Sequence, residues 1–382
     1  MSDVFDAIVL GVGGFGSGTL FHLARRGLKV LGIDRFGAAH DQGSSHGETR
    51  IIRKAYFEHP DYVPLLLRAY DLWTELEAES QRQLFWQCGL MLAGLPNSEA
   101  ISGARLSAKQ HSLRIENLSA EAASQRWPGF RVPDSFDVVF EPEAGFLKVE
   151  DCVQTHLDRA VAHGARLQLN DPVVSWSATD REVRVRTSGG EFIGRTLVIT
   201  AGAWAASVMA DLHLPLQVLR KPIFWHETTT ADYSLASEMP TFYFEMPDTF
   251  GGPARSFYGF PSIDGKTLKV AEHSGGKLVA DPLLVDRECR DEDSRPIAHF
   301  VQTCLPHVSP QAARHSVCLY TVTPDRHFVI DRHPQHPNVV IGCGFSGHGF
   351  KFTSVLGEAL ADLAVMGRTD LPIDFLGLNR LR

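Results

Sequence analysis

Two glycine-rich turns near opposite ends of this 382-residue chain hold the residue types best suited to chemistry. The first, GVGGFG, runs from Gly11 to Gly16 between an apolar run (FDAIVL) and a helix-forming one (SGTLFHLARRG); a second apolar run then ends on Asp34. Gly11 permits a tight turn, Gly13 lets backbone amides approach a pyrophosphate, and Gly16 lets helix and sheet meet closely. Asp34 stands 23 residues after Gly11, where a carboxylate binds both ribose hydroxyls and repels a 2′-phosphate, so NADP is disfavoured. Leu20 departs from this pattern, because a small residue often sits there. The second turn, FSGHGFK, sets Gly344, Gly347 and Gly349 around Ser346 and His348, just ahead of the helical run TSVLGEALADLAVMG. Amides and the positive end of a helix converge there, which favours negative charge. It is not a nucleophile elbow, since the GxSxG spacing fails at His348.

The elements that must position these turns follow from periodicity. Strand, turn, helix and strand in register read as a βαβ unit of an α/β fold. Residues 63–78 place Leu66, Tyr70, Trp73 and Leu76 at helical spacing, a core stripe rather than a cofactor contact. Residues 81–140 mix strand-like and helical pieces and read as an insertion. A helix from Val149 towards Gly164, a hairpin around Ser188-Gly189-Gly190 and the apolar run from Leu197 to Thr200 mark a return to the nucleotide-binding part. Strand-like stretches then fill 218–316, with an acidic helix near 288–304. The organisation is two-domain: a Rossmann-like dinucleotide domain from 1–80, 145–217 and 317–382, and a substrate domain with a mixed or antiparallel sheet from 81–144 and 218–316.

Composition narrows the function class. A net charge of −8 gives no basic footprint, which disfavours nucleic acid and anionic membranes as partners. The uncharged run from Ala7 to Ala24 holds five glycines and His22, so it is read as neither an export signal nor a membrane segment. Cys88, Cys152, Cys289, Cys304, Cys318 and Cys343 form no CxxC pairs, which fits reduced thiols in the cytoplasm. No histidine spacing points to a metal.

Three longer segments carry a resemblance. GSSHGETRIIRKAY, SVCLYTVTPDRHFVID and GCGFSGHGFKFTSVLGEALADLA are similar to signature segments of the monomeric sarcosine oxidase and N-methyltryptophan oxidase family. RWPGF, EPEAGFL, VITAGAW and YGFPS match smaller landmarks in the same order, so the likeness spans nearly the whole chain. It implies a D-amino-acid-oxidase-type fold, FAD as cofactor, and oxidation of a secondary amino acid by dioxygen in a monomer. Cyclic imino acids of the pipecolate type and glycated amino acids are alternative substrates. A nicotinamide-dependent dehydrogenase or a non-catalytic flavin-binding protein would also use Gly11 to Asp34.

The resemblance also implies roles for residues. Cys318 matches a cysteine joined to the flavin ring by a thioether. His46, Thr49 and Arg50 match the loop running over the flavin, and Lys269 matches a lysine that promotes reaction with dioxygen. Arg53 and Lys351 match the pair that holds the substrate carboxylate, while Tyr258 and His273 match pocket residues that tune the amine. Further cofactor contacts are expected at Gly14, Phe15, Arg35 and Val174. The same holds for Gly202, Trp204, Tyr320 and Phe350, and for the Gly344, Gly347, His348 and Gly349 turn. The chain departs from its relatives at Glu48, where they carry Asp, and in a longer link before YGFPS. That link, centred on 249–254 near Arg255, is expected to form a pocket wall or lid.

Overall fold

FDAIVL is apolar on both faces of a strand, the pattern of a parallel strand covered on both sides. A computed structural model describes residues 4–248 and 254–381 and places this run at the centre of a sheet. The strands of the first part are β1 (Val4–Leu10), β2 (Val30–Ile33), β3 (Thr49–Ile52), β4 (Phe85–Trp86), β5 (Leu90–Gly94), β6 (Glu116–Ser119), β7 (Asp137–Glu141) and β8 (Gly145–Lys148). Then come β9 (Arg166–Gln168), β10 (Val173–Ala178), β11 (Val183–Thr187), β12 (Glu191–Ile199), β13 (Gln217–Thr228) and β14 (Thr241–Met246). The last are β15 (Arg255–Gly259), β16 (Thr267–Glu272), β17 (Lys277–Leu278), β18 (Val308–Val322), β19 (Val329–Arg332) and β20 (Val339–Cys343). The helices are α1 (Gly14–Arg25), α2 (Val63–Ser80), α3 (Glu99–His111), α4 (Ala120–Arg126), α5 (Val149–Ala162), α6 (Ala205–Val208), α7 (Asp291–Cys304) and α8 (Thr353–Met366).

An eight-stranded sheet has the order β10-β11-β12-β1-β2-β9, with β20 beside the second half of β12 and β19 beside β20. β1 pairs in parallel with both β12 and β2. The helices α1, α2, α5 and α8 bury Leu20, Leu66, Trp73, Leu157 and Leu356 in one core with the sheet. Leu20 fits because Gly32 lies opposite; a Cβ at Gly32 would stand 2.8 Å from the Leu20 side chain. The expected stripe on α2 is confirmed at Leu66, Trp73 and Leu76, all buried, whereas Tyr70 is half-buried and donates to the Glu143 carbonyl.

A nine-stranded mixed sheet has the order β17-β13-β16-β15-β14-β5-β7-β6, with β18 paired to β13. Its two faces follow the period of two. Phe242, Phe244, Phe257 and Val270 pack under α7 on one face. Leu92, Tyr243, Tyr258, Ala271 and Ile223 form a cross-strand row on the other, facing the site. β18 runs unbroken from Val308 to Val322, so the division expected at 317 falls inside one strand and Cys318 rides on the larger sheet. A three-stranded sheet, β3-β8-β4, lies apart from both. The expected wall at 249–254 falls on residues outside those described, 254 excepted.

Candidate active site

One elongated cavity runs between the two sheets, from Asp34 at one end to Lys351 at the other. At the Asp34 end Gly11, Gly13, Gly14 and Phe15 line it. Gly16 lies behind this lining, where a Cβ would stand 1.8 Å from the Gly11 carbonyl oxygen and 2.7 Å from Thr200 Oγ1. The α1 N-terminus has no side-chain cap from Gly13; the Gly14 amide instead donates to Ser45 Oγ at 3.2 Å. The Asp34 carboxylate accepts from the amides of Val12 at 2.8 Å and Phe36 at 3.0 Å, and lies 3.5 Å from His40 Nε2. Burial pushes its carboxyl up, and these contacts oppose the shift. Arg35, Gly202 and Trp204 line the same end. Val174 does not: its neighbour Val173 faces the cavity, and alternation along β10 leaves Val174 70% exposed.

Midway, Arg50 on β3 lines the cavity and donates to Cys318 Sγ at 3.2 Å. Cys318 is buried behind it, with His46 Nδ1 at 3.9 Å. Burial opposes ionisation of this thiol, but Arg50, His46 and Lys269 outweigh it and bring it down to about 6. Cys88, Cys304 and Cys343 are pushed up to about 12 by burial, which outweighs the pull of Arg131 on Cys304 and of Arg380 on Cys343. Lys269 and Thr49 lie outside the cavity lining. Lys269 is 3% exposed and donates to the carbonyls of Gly47 at 2.5 Å and Thr49 at 2.8 Å. Burial and the nearby Arg50 guanidinium hold its ammonium well below the ordinary lysine range.

The far end concentrates buried charge. Arg53 donates to Glu58 at 2.5 Å and stacks over Phe57 and Tyr56, 3.9 and 4.3 Å from the ring centres. Lys351, in the single turn before α8, donates to the His348 carbonyl at 2.6 Å; the Trp73 indole holds the Lys351 carbonyl at 3.1 Å. Burial, with Arg53 nearby, brings Lys351 down to about 7. Burial opposes ionisation of Glu58, but Arg53, His348 and Lys351 bring it down to about 2. His348 Nε2 lies 3.0 Å from the Arg326 carbonyl, which can only accept, so Nδ1 is the acceptor for the Tyr56 hydroxyl. Tyr258, Tyr320 and His273 form the opposite wall, and burial brings His273 down to about 3. Gly344, Gly347, Gly349 and Phe350 complete the lining.

Two contributors at the far end, Glu58 and Tyr243, have no sequence signal, while Tyr56 closes the GSSHGETRIIRKAY segment. Ser45 was within reach, since it lies in the GSSHG turn. The residues fit a flavin dinucleotide on an independent ground. Trp204 Nε1, Thr321 Oγ1 and His46 Nε2 are buried polar atoms without partners among the described residues, and the first two belong to residues lining the cavity. Such atoms are costly unless a ligand completes them.

Comparison with known proteins agrees. A family model described as FAD dependent oxidoreductase matches residues 6–363. Monomeric sarcosine oxidase from Bacillus sp. (strain NS-129) is 40% identical over 385 aligned residues, covering 100% of this chain and 98% of that protein. N-methyl-L-tryptophan oxidase from Yersinia pestis (strain Pestoides F) is 36% identical, covering 99% and 100%. The solved structure of NikD, an unusual amino acid oxidase essential for nikkomycin biosynthesis, superposes with a TM-score of 0.87 at 24% identity, covering 98% of each chain, and supports the fold. The chain belongs to the FAD dependent oxidoreductase family, in the group that contains monomeric sarcosine oxidase and N-methyl-L-tryptophan oxidase.

Proposed function

We propose that the chain is an FAD-dependent oxidase of secondary amino acids, with N-methyl amino acids as its first substrate class. The observation carrying this reading is a continuous cavity with a ribose-type carboxylate at one end and two buried cations, Arg53 and Lys351, at the other. When bound, FAD takes two electrons from the carbon–nitrogen unit and passes them to dioxygen, giving hydrogen peroxide; water hydrolyses the imine to amino acid and aldehyde. Gly11, Gly13, Gly14, Phe15, Gly16, Asp34 and Arg35 hold the nucleotide half. Gly202 and Trp204 join them at the Asp34 end, and the contacts around His46, Thr49, Arg50, Tyr320 and the 344–350 turn hold the flavin half, with β18 shared between the two domain segments.

Arg53 and Lys351 orient the substrate carboxylate, the fork of Arg53 suiting its two oxygens. To bind, that carboxylate competes with Glu58 for Arg53. The amine then meets Tyr258, Tyr320 and His273, three neutral side chains that desolvate a cationic amine and so favour loss of its proton. Lys269 supplies positive potential near the flavin, where electron transfer to dioxygen builds negative charge. The low thiol pKa supports attachment of the flavin at Cys318, since the thiolate is the reactive form. Every group comes from one chain, so a monomer suffices; the six free cysteines fit the cytoplasm.

The test is an anaerobic titration of purified holoenzyme with sarcosine, N-methyl-L-tryptophan and pipecolate. Bleaching of the flavin by at least one secondary amino acid, reversed by air with release of peroxide, is the expected outcome. A flavin that none of them bleaches would overturn the reading.

A further inference from the structure

Lys221, on β13, is 4% exposed and belongs to none of the groups assigned above. Its ammonium donates to three successive carbonyls, those of His273 at 3.2 Å, Ser274 at 2.6 Å and Gly275 at 3.2 Å. These carbonyls form the turn after β16, which carries His273 into the cavity wall. The ammonium also lies 5.3 Å from the centre of the Tyr320 ring, whose hydroxyl is 3.4 Å from His273 Nδ1. Lys221 thus touches both partners of the His273–Tyr320 contact from beneath, opposite Cys318 in the β13–β18 register.

We propose that Lys221 is a positioning residue for the oxidation, clamping the turn at 273–275 so that His273 and Tyr320 meet at a fixed place in the substrate wall. The inference rests on the oxidase reading. A stripe of three carbonyls pointing at one buried spot needs a donor, and an ammonium with three N–H groups meets all of them. A neutral donor with two N–H groups would keep most of the clamp, whereas an apolar side chain would leave three carbonyls unpaired in a buried place.

The charge has a second effect on the same imidazole. His273 faces Lys221 from β13, and Glu58, His348 and Lys351 across the cavity; Tyr243 and Tyr258 bracket it from β14 and β15. Beside it Glu272 is held by Arg255 at 3.0 Å and Ser274 at 2.8 Å. After burial, Lys221 is the largest influence keeping the ring neutral. Removing the cation therefore raises the midpoint of the His273 titration.

The experiment compares Lys221→Gln and Lys221→Met holoenzymes with the parent, using anaerobic flavin reduction by sarcosine or whichever tested amino acid bleaches the parent, and NMR of labelled histidine. Lys221→Met is expected to raise the apparent Kd of the amino acid about tenfold, while Lys221→Gln stays within about twofold. Both raise the His273 midpoint. Equal binding losses in the two variants, or a His273 midpoint unchanged in both, would overturn the proposal. If Lys221→Met does not fold, Lys221→Gln decides by its apparent Kd, and a rise of more than about twofold overturns the proposal. A parent flavin that no amine bleaches counts against the oxidase reading; a His273 signal moved or broadened in Lys221→Met but not in Lys221→Gln then supports the clamp, and equal signals in the two overturn it.

Discussion

The two ends of the cavity are built by opposite means. The nucleotide end relies on backbone: a glycine turn, helix amides, and one carboxylate tied down by its neighbours' N–H groups. The reaction end relies on buried charges from distant segments, with Arg53 against Glu58, and Lys351 held by the turn before α8. A backbone site is written in local spacing, whereas a charge cluster exists only after the fold has brought its members together.

The largest effect should come from spoiling the backbone end. In Gly16→Val the new side chain has no room beside the Gly11 carbonyl, at a cost on the order of 3 kcal/mol or more. We expect loss of FAD from the purified protein, read as loss of flavin absorbance; a fully loaded variant would contradict the close approach. Next comes Arg53→Met, which removes the guanidinium fork proposed to hold the substrate carboxylate. Loss of a buried, hydrogen-bonded charge contact costs about 2–5 kcal/mol of binding, and kcat/KM should fall about a thousandfold while flavin content stays near normal. Loss of flavin in this variant would erase the distinction between the ends.

Smaller effects sharpen the contrast. Lys269→Met should slow reoxidation by dioxygen about a hundredfold and leave anaerobic reduction nearly unchanged; equal losses in both half-reactions would mean the lysine is misassigned. The smallest effect concerns pH. Glu58, at about 2, stays ionised from pH 6 to 8, and His348 at about 4 and His273 at about 3 stay neutral. Lys351, at about 7, is a cation below that pH and loses its charge above it. Propanoate, a carboxylate with no amine to titrate, should therefore bind Cys318→Ala holoenzyme more weakly as pH rises from 6 to 8, by about tenfold. Affinity that is flat over this range would show that Lys351 contributes no charge to anion binding.

This contrast also explains what was legible in the sequence. Gly11 to Asp34 could be read directly, because each job depends on position within one βαβ unit. Arg53 and Lys351 came only through family resemblance. Glu58 has no such signal, since nothing local says that it lies against Arg53. Val174 was displaced by one residue, because a strand's phase is set by what covers it. The LKV pattern around Lys269 fits either face of a strand, and only pairing with β13 and β15 decides.

One feature of β18 reaches beyond the resting site. Cys318 and Tyr320 are two residues apart on one strand, so they share a face and travel together. A chain slipped by one residue against β13 turns both away from the cavity. The register of this longest strand therefore sets two side chains at once: one misalignment would take the thiol from its Arg50 neighbour and Tyr320 from the cavity wall.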